Sequence, residues 1–391
     1  MGFFSRSSKL AVSHTKLSEV LKERGYVYQH SADLAEIVDG PKRTLYLGID
    51  PTADSMHAGN LIGLLVLRRF LEGGHKIIIL TGGGTGMIGD PGGKSEERNL
   101  LDEATIAKNS KAVAAQIRKI FGSSDFIEEN NATWLAKLNL LEFLRDIGKH
   151  FTVNAMIKKD TVKTRLDAES PMSFTEFSYS LLQGYDFLHL FTKHGCEVQV
   201  GGSDQWSNIL SGVEFIRRKM GKTVYALTWP LLVDKSTGRK FGKSEEGAIW
   251  LNATKTSPFE FYQFWFNTAD DDVEEYLLKM TLVPKADIDA VMVEQRINPA
   301  ARPAQKKLAY EATKLVHGES EASAAQNSEN VPSIGVGKLR DVLKEYSTSE
   351  LRRLVEQGGI SSAGGKIDSI DYEVKRGEEI RIGKRKRYKA E

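Results

Sequence analysis

The sequence predicts an α/β fold built on a parallel sheet, followed by a helical region and a small basic module. Three observations predict it: apolar, strand-length runs alternate with helical patterns over the first two thirds, a glycine-rich loop directly follows one of those runs, and the tail turns basic. At 391 residues the chain is too long for one ordinary core, so two or three domains are expected. A hydrophobic content of 40% and a mean hydropathy of -0.34 are those of a soluble globular protein. No apolar run approaches the roughly 18 to 20 residues that span a bilayer, so no membrane association is expected. The single cysteine, Cys196, excludes an intrachain disulfide and a Cys-based zinc site, and it reads as a small buried residue.

Taken in order, residues 1–18 hold Arg6, Lys9 and Lys16 with several serines and no acid, and read as a short disordered tail. The apolar run Thr44–Ile49 is the first strand; a helix over 59–72, a buried strand at Lys76–Thr81 and a helix over 104–121 follow. This alternation argues for parallel strands joined by crossover helices. Residues 134–171 read as mainly helical, an insertion or a subunit contact, and further strands are expected at 197–200 and 224–228. Amphipathic helices dominate 257–317, after which 319–332, rich in Ser, Ala, Asn and Glu, reads as a linker. In the last part a helix ends at Gly358-Gly359, and short strands are expected over 365–388. The expected divisions are 1–232, 233–320, a linker at 321–332, and 333–391.

Charge is uneven. Residues 333–391 carry 14 Lys and Arg against 10 Asp and Glu, whereas the rest of the chain carries 40 against 42. Six of the last eleven residues are basic and surround Tyr388, a pattern that fits either a phosphate backbone or a solvated basic end.

The chemistry concentrates in a few stretches. Gly84-Thr-Gly-Met-Ile-Gly-Asp-Pro-Gly-Gly-Lys94 follows the strand Lys76–Thr81, where α/β proteins bind ligands. It contains G-x-G-x-x-G, yet Asp90-Pro91 interrupts the helix that a dinucleotide fingerprint needs, which weakens a reading as an NAD-dependent oxidoreductase. Two Gly-Lys-Ser runs, at 89–95 and 238–244, have three residues where the phosphate-binding loop has four. A polar, glycine-lined cleft remains, with Thr85, Asp90, Lys94 and Arg98 at its mouth, suited to a ligand carrying an amine and phosphates. His57 and Asn60 stand three apart at a helix start, where free N–H groups and the helix dipole attract phosphate, and Gly59 leaves room for a flat base. Tyr179, Gln183 and Asp186 follow i, i+4, i+7 spacing, so a helix over 178–189 puts them on one face.

These stretches together resemble the class I aminoacyl-tRNA synthetases, and within them the tyrosyl-tRNA synthetases. His57-Ala-Gly-Asn60 is similar to the class signature His-Ile-Gly-His, and Lys240-Phe-Gly-Lys-Ser244 to its Lys-Met-Ser-Lys-Ser partner. Tyr46 to Thr52, Gly84 to Lys94, Tyr179 to Asp186 and Gln199 to Gln205 extend the resemblance, which covers about residues 17–391. It implies a Rossmann-like catalytic domain, an α-helical tRNA-binding domain and a small S4-like α+β RNA-binding domain. It also implies a tyrosine-tRNA ligase that forms tyrosyl-adenylate from L-tyrosine and ATP and charges tRNA(Tyr), with Mg²⁺ accompanying ATP, as a cytoplasmic homodimer.

For site residues, the resemblance implies that Tyr46 and Asp186 bond the substrate phenol. Tyr179, Gln183 and Asp90 hold its ammonium group with support from Asn131, and Gln205 lies near its carboxylate. Gly48, His57, Gly59 and Asn60 meet adenosine, and Asp204 the ribose. Asp50, Thr52, Lys94, Arg98, Lys240 and Lys243 gather at the phosphates. No metal ligands are assigned to side chains. Asn60 replaces the second signature histidine, keeping a hydrogen-bonding amide that cannot become a cation. An RNA-binding protein that kept this scaffold without its chemistry, and a synthetase for tryptophan, are the rival readings.

Overall fold

The computed structural model describes residues 15–90, 101–122, 125–232, 241, 243–244, 247–327, 333–383 and 386–391, with the side chains of 161, 243, 244 and 247 outside that description. The expected N-terminal tail lies mostly outside it. The central sheet has six strands: β1 (Gln29–His30), β2 (Thr44–Ile49), β3 (Lys76–Thr81), β4 (Ile127–Asn130), β5 (Cys196–Gly202) and β6 (Tyr225–Trp229). Their spatial order is β1-β6-β5-β2-β3-β4, parallel throughout except for β1, which pairs antiparallel with β6 at the edge. The chain builds outward from β2 to β4 and then returns to lay β5 on the other side of β2. The order therefore reverses between β2 and β5, the position where open α/β sheets bind ligands.

Strand alternation divides the apolar residues between two faces. Leu45 in β2, Ile77 and Ile79 in β3, and Val198 and Val200 in β5 join one core with the Leu61–Glu72 helix. The same core continues into the helices Pro258–Phe266, Asp270–Met280, Lys285–Ile297 and Pro303–His317. Tyr46, Ile78 and Leu80 face the other way, into a second core with Phe187, Leu190 and Phe215 from the helices Phe174–His194 and Trp206–Met220; Cys196 joins them because the register of β5 against β2 shifts between Cys196 and Val198. Cys196 is fully buried, and burial pushes its thiol above the ordinary range.

Those two helices pack unusually close. A Cβ on Gly184 would lie 2.9 Å from the Phe151 ring and one on Gly212 would lie 3.0 Å from Phe187, and each such Cβ would lie 3.5–3.6 Å from the Cα of the other glycine. The stretch expected as a linker begins instead as a helix, Glu319–Gln326, whose Ala322 and Ala325 are buried. Its small residues suit a tight helix contact as well as a coil, which composition cannot distinguish.

The C-terminal residues have a core of their own, with Leu339, Leu351, Ile360, Ile380 and Tyr388 among its members. The helix Thr348–Glu356 carries a reciprocal Ser347/Glu350 capping box and ends before Gly358 at φ +64°. It packs with a five-stranded sheet that includes Ile360–Ser362, Glu379–Ile382 and Lys386–Ala390.

Candidate active site

A cleft of about 680 Å³ opens at the carboxyl ends of β2 and β5. Tyr46 sits on the floor beside Phe187, ring centroids 5.3 Å apart. Gln199 is its register partner on β5, so both side chains emerge on the same face, beneath the Phe174–His194 helix. Tyr179, Gln183 and Asp186 line the cleft from that helix, as their spacing predicts. Tyr46 Oη and the Oε1 atoms of Gln183 and Gln199 are buried without a hydrogen-bond partner. Each such orphan costs about 1–3 kcal/mol, which a polar ligand entering the cleft would recover.

Asp186 is 2% exposed. Its Oδ2 accepts from Asn131 Nδ2 at 2.9 Å and its Oδ1 from Trp134 Nε1 at 2.7 Å. Burial pushes the carboxyl up to about 7, with the two donors opposing the shift. Burial also holds the Tyr46 and Tyr179 phenols well above their ordinary range, so both are neutral donors at physiological pH.

Asp50, at the end of β2, accepts from Thr85 Oγ1 and Tyr179 Oη, each at 2.8 Å. This contact explains Gly82, where a Cβ would lie 1.9 Å from Asp50 Oδ1. Asn131 joins the glycine loop to the floor, because its Oδ1 accepts from the Gly84 N–H at 2.7 Å while its Nδ2 also reaches Thr85. The loop makes a single 3-10 turn, Thr85–Met87, where a dinucleotide site would start a helix. Asp90, 7% exposed, accepts from Gln205 Nε2 at 2.7 Å.

At the other end of the cleft His57 and Asn60 cap each other: His57 Nδ1 accepts from Gly59 N–H at 3.1 Å and Asn60 Oδ1 from His57 N–H at 3.0 Å. The residue at 60 is thus committed to the turn itself, which an amide does without a charge. A Cβ on Gly59 would lie 2.7 Å from the carbonyl oxygen of Phe241. Backbone bonds from Ala58 to Ile249 and from Leu251 to Met56, at 2.7 and 2.8 Å, stitch this turn to the stretch after the second signature. Two motifs about 180 residues apart in sequence therefore meet in space.

Gly48, Thr52, Asp204 and Gln205 also line the cleft. Lys94, Arg98 and Lys240 lie outside the described residues, as does the side chain of Lys243, whose backbone pairs antiparallel with Ala248. Sequence reasoning missed Gln199 and the bond from Trp134. A polar residue between Val198 and Val200 in a buried strand was the available signal for the first, and nothing in the sequence pointed to the second. Among the described residues no group of three His, Cys, Asp or Glu is placed to hold a metal ion, and no helix is long and apolar enough to cross a membrane.

A parallel nucleotide-binding sheet with these two signatures brought together at its switch point defines the class I aminoacyl-tRNA synthetases. The family described as tRNA synthetases class I (W and Y) matches residues 40–330. A tyrosine–tRNA ligase of Caldanaerobacter subterraneus subsp. tengcongensis is 45% identical over 91% of this chain and 93% of its own length, and one of Staphylococcus saprophyticus is 46% identical over 89% and 86%. A C-terminally truncated mitochondrial tyrosyl-tRNA synthetase of Aspergillus nidulans superimposes with a TM-score of 0.72 at 34% identity, covering 81% of this chain and 93% of that one. The chain belongs to the class I tRNA synthetases of the tryptophan and tyrosine group, and within that group to the tyrosine–tRNA ligases.

Proposed function

We propose that this cleft activates L-tyrosine with ATP, giving tyrosyl-adenylate and pyrophosphate, and then transfers the tyrosyl group to the 3′ end of tRNA(Tyr). The observation that carries the choice of amino acid is the floor, where the unpartnered Tyr46 hydroxyl and the buried Asp186 carboxyl line one cavity. A substrate phenol donates to Asp186 and accepts from Tyr46. Phenylalanine leaves both short of a partner in a buried site.

The tyrosine carboxylate is already ionised at neutral pH, so its attack on the α-phosphate needs no base and no covalent enzyme intermediate. Alignment and charge stabilisation supply the catalysis. Asp90, Tyr179 and Gln183 receive the ammonium group, with Asn131 holding the glycine loop in place. Gln205, fixed by Asp90, stands beside the reacting carboxylate. Gly48, His57, Gly59 and Asn60 receive adenosine and Asp204 the ribose. Lys94, Arg98, Lys240 and Lys243 are the cations for the phosphates, with Thr52 beside them. Asp50 already accepts from Thr85 and Tyr179, and it serves this site by orienting the Tyr179 hydroxyl. Mg²⁺ would accompany ATP and supply charge neutralisation at its phosphates, with no group of described side chains arranged to hold it.

The tRNA contacts belong to the helical part and to the S4-like module, residues 333–391, which has the basic excess a phosphate backbone requires. Aminoacylation serves translation in the cytoplasm. A homodimer is supported by Leu140, Leu141, Val153, Leu166 and Phe174, each more than half exposed within one stretch of 35 residues. The deciding experiment is ATP–pyrophosphate exchange with tyrosine, phenylalanine and tryptophan side by side. Tyrosine should be preferred over phenylalanine by about 10⁴-fold or more, the size known for sites built to bond a buried hydroxyl, tyrosine enzymes among them. Exchange that is strongest with tryptophan, or absent with tyrosine, would refute the assignment.

A further inference from the structure

Trp134 is gripped in two places by one helix. Its Nε1–H donates to Asp186 Oδ1 at 2.7 Å, and its ring face is covered by His189, with centroids 4.1 Å apart and planes 17° from parallel. Asp186 and His189 are three residues apart on the Phe174–His194 helix, so one helical turn takes the indole by its edge and by its face. Trp134 comes from the short helix Ala132–Leu135 and is 7% exposed. Neither Trp134 nor His189 lines the cleft.

An N–H donor is directional, and its bond weakens steeply once the angle at hydrogen falls. The tilt of the indole plane therefore sets how well Asp186 is held, and the flat stack on His189 fixes that plane. Tyr185, Glu129, Lys193 and His194 surround the imidazole. Burial, with Lys193 adding to it, keeps the ring below its ordinary titration range, so at neutral pH it stacks as an uncharged ring.

We propose that His189 is a positioning residue for substrate discrimination: by stacking on Trp134 it holds the indole N–H on Asp186 and so fixes the carboxyl that reads the substrate phenol. This rests on the assignment of Asp186 to the phenol made above. It also assigns a function to a residue that touches neither substrate nor cleft.

The test is steady-state ATP–pyrophosphate exchange with the full-length protein. W134F keeps a flat ring and removes the donor, H189A removes the stack and keeps the donor, and H189F restores a flat ring. W134F should raise KM for tyrosine about tenfold, as expected for losing a bond to a charged group. H189A should raise it about fivefold, and H189F should return it to within about twofold of the unmodified protein. In each, KM for ATP and kcat should stay within about twofold, and preference over phenylalanine should fall. In the W134F background H189A should add nothing, because it acts through the missing N–H. Multiplying effects in the double variant, equal losses in kcat and KM for ATP, or a folded H189F that fails to rescue would each overturn the proposal. Should H189A lose its native circular dichroism, H189L, bulky but not flat, takes its place: the same rise in KM for tyrosine is expected, and an unchanged KM would overturn the proposal. Absence of tyrosine-dependent exchange in the unmodified protein would instead sink the assignment of Asp186 itself.

Discussion

At the residue scale the site turns on the proton of Asp186. Its carboxyl, pushed up to about 7 by burial, is divided between its two forms at neutral pH, and only the ionised form offers both oxygens to a phenol donor. KM for tyrosine should therefore fall as pH rises from about 6 to about 8, by up to about tenfold per unit below the transition. The stability effect has the opposite sign. A carboxyl raised above its unfolded value stabilises the fold fully below about 4 and loses that contribution as pH climbs through about 7. D186N should abolish the pH dependence of KM while leaving KM for ATP unaltered. A flat KM profile in the unmodified protein would contradict this account. The resemblance singled out Tyr46 and Asp186, and helical spacing alone put Asp186 on one face with Tyr179 and Gln183, which line the same cleft. Trp134 was not legible, because a tryptophan amid helical sequence reads as core, and only geometry reveals where its N–H points.

At the element scale the helix Phe174–His194 does most of the placing. It carries Tyr179, Gln183 and Asp186 into the cleft, and its height above the sheet is set where Gly184 meets Gly212. Gly212→Val would drive a branched side chain into Phe187, the ring beside Tyr46, and overpacking of this kind costs about 1–3 kcal/mol. The expected outcome is a lowered thermal midpoint together with a raised KM for tyrosine. A lowered midpoint with KM untouched would show that helix height and substrate recognition are independent. The strands β2 and β3 were predicted to the residue, since continuous apolar runs bounded by loops leave little choice. By contrast β1 has two residues and β4 reads Ile-Glu-Glu-Asn. Edge strands this short or this charged have no periodic signature and exist because a neighbour offers hydrogen bonds.

At the scale of the whole molecule, the C-terminal module stands apart by having a core of its own. The C-terminal residues bury their own apolar cluster, so removing 333–391 should leave ATP–pyrophosphate exchange nearly intact while abolishing tRNA charging. Unchanged charging would refute an RNA-binding role for the module. For the proposed homodimer, Phe174→Asp combined with Leu141→Asp should leave a monomer in sedimentation velocity where the unmodified protein sediments as a dimer; a dimer that survives both would place the subunit contact elsewhere. The sheet and the helices after residue 257 share one continuous core, although the sequence changes there from alternating strands and helices to amphipathic helices. A change of period marks a change of element type; whether the packing is shared depends on side chains distant in sequence.

The stitch between Met56–Ala58 and Ile249–Leu251 carries a mechanical consequence. It runs from main chain to main chain, so no rotamer has to reorganise for a shift on one side to reach the other. The turn assigned to adenosine and the lead-in to the Pro258–Phe266 helix are fastened like two leaves of one hinge plate. A displacement of the turn proposed to meet adenosine would thus be passed through main chain to the start of that helix.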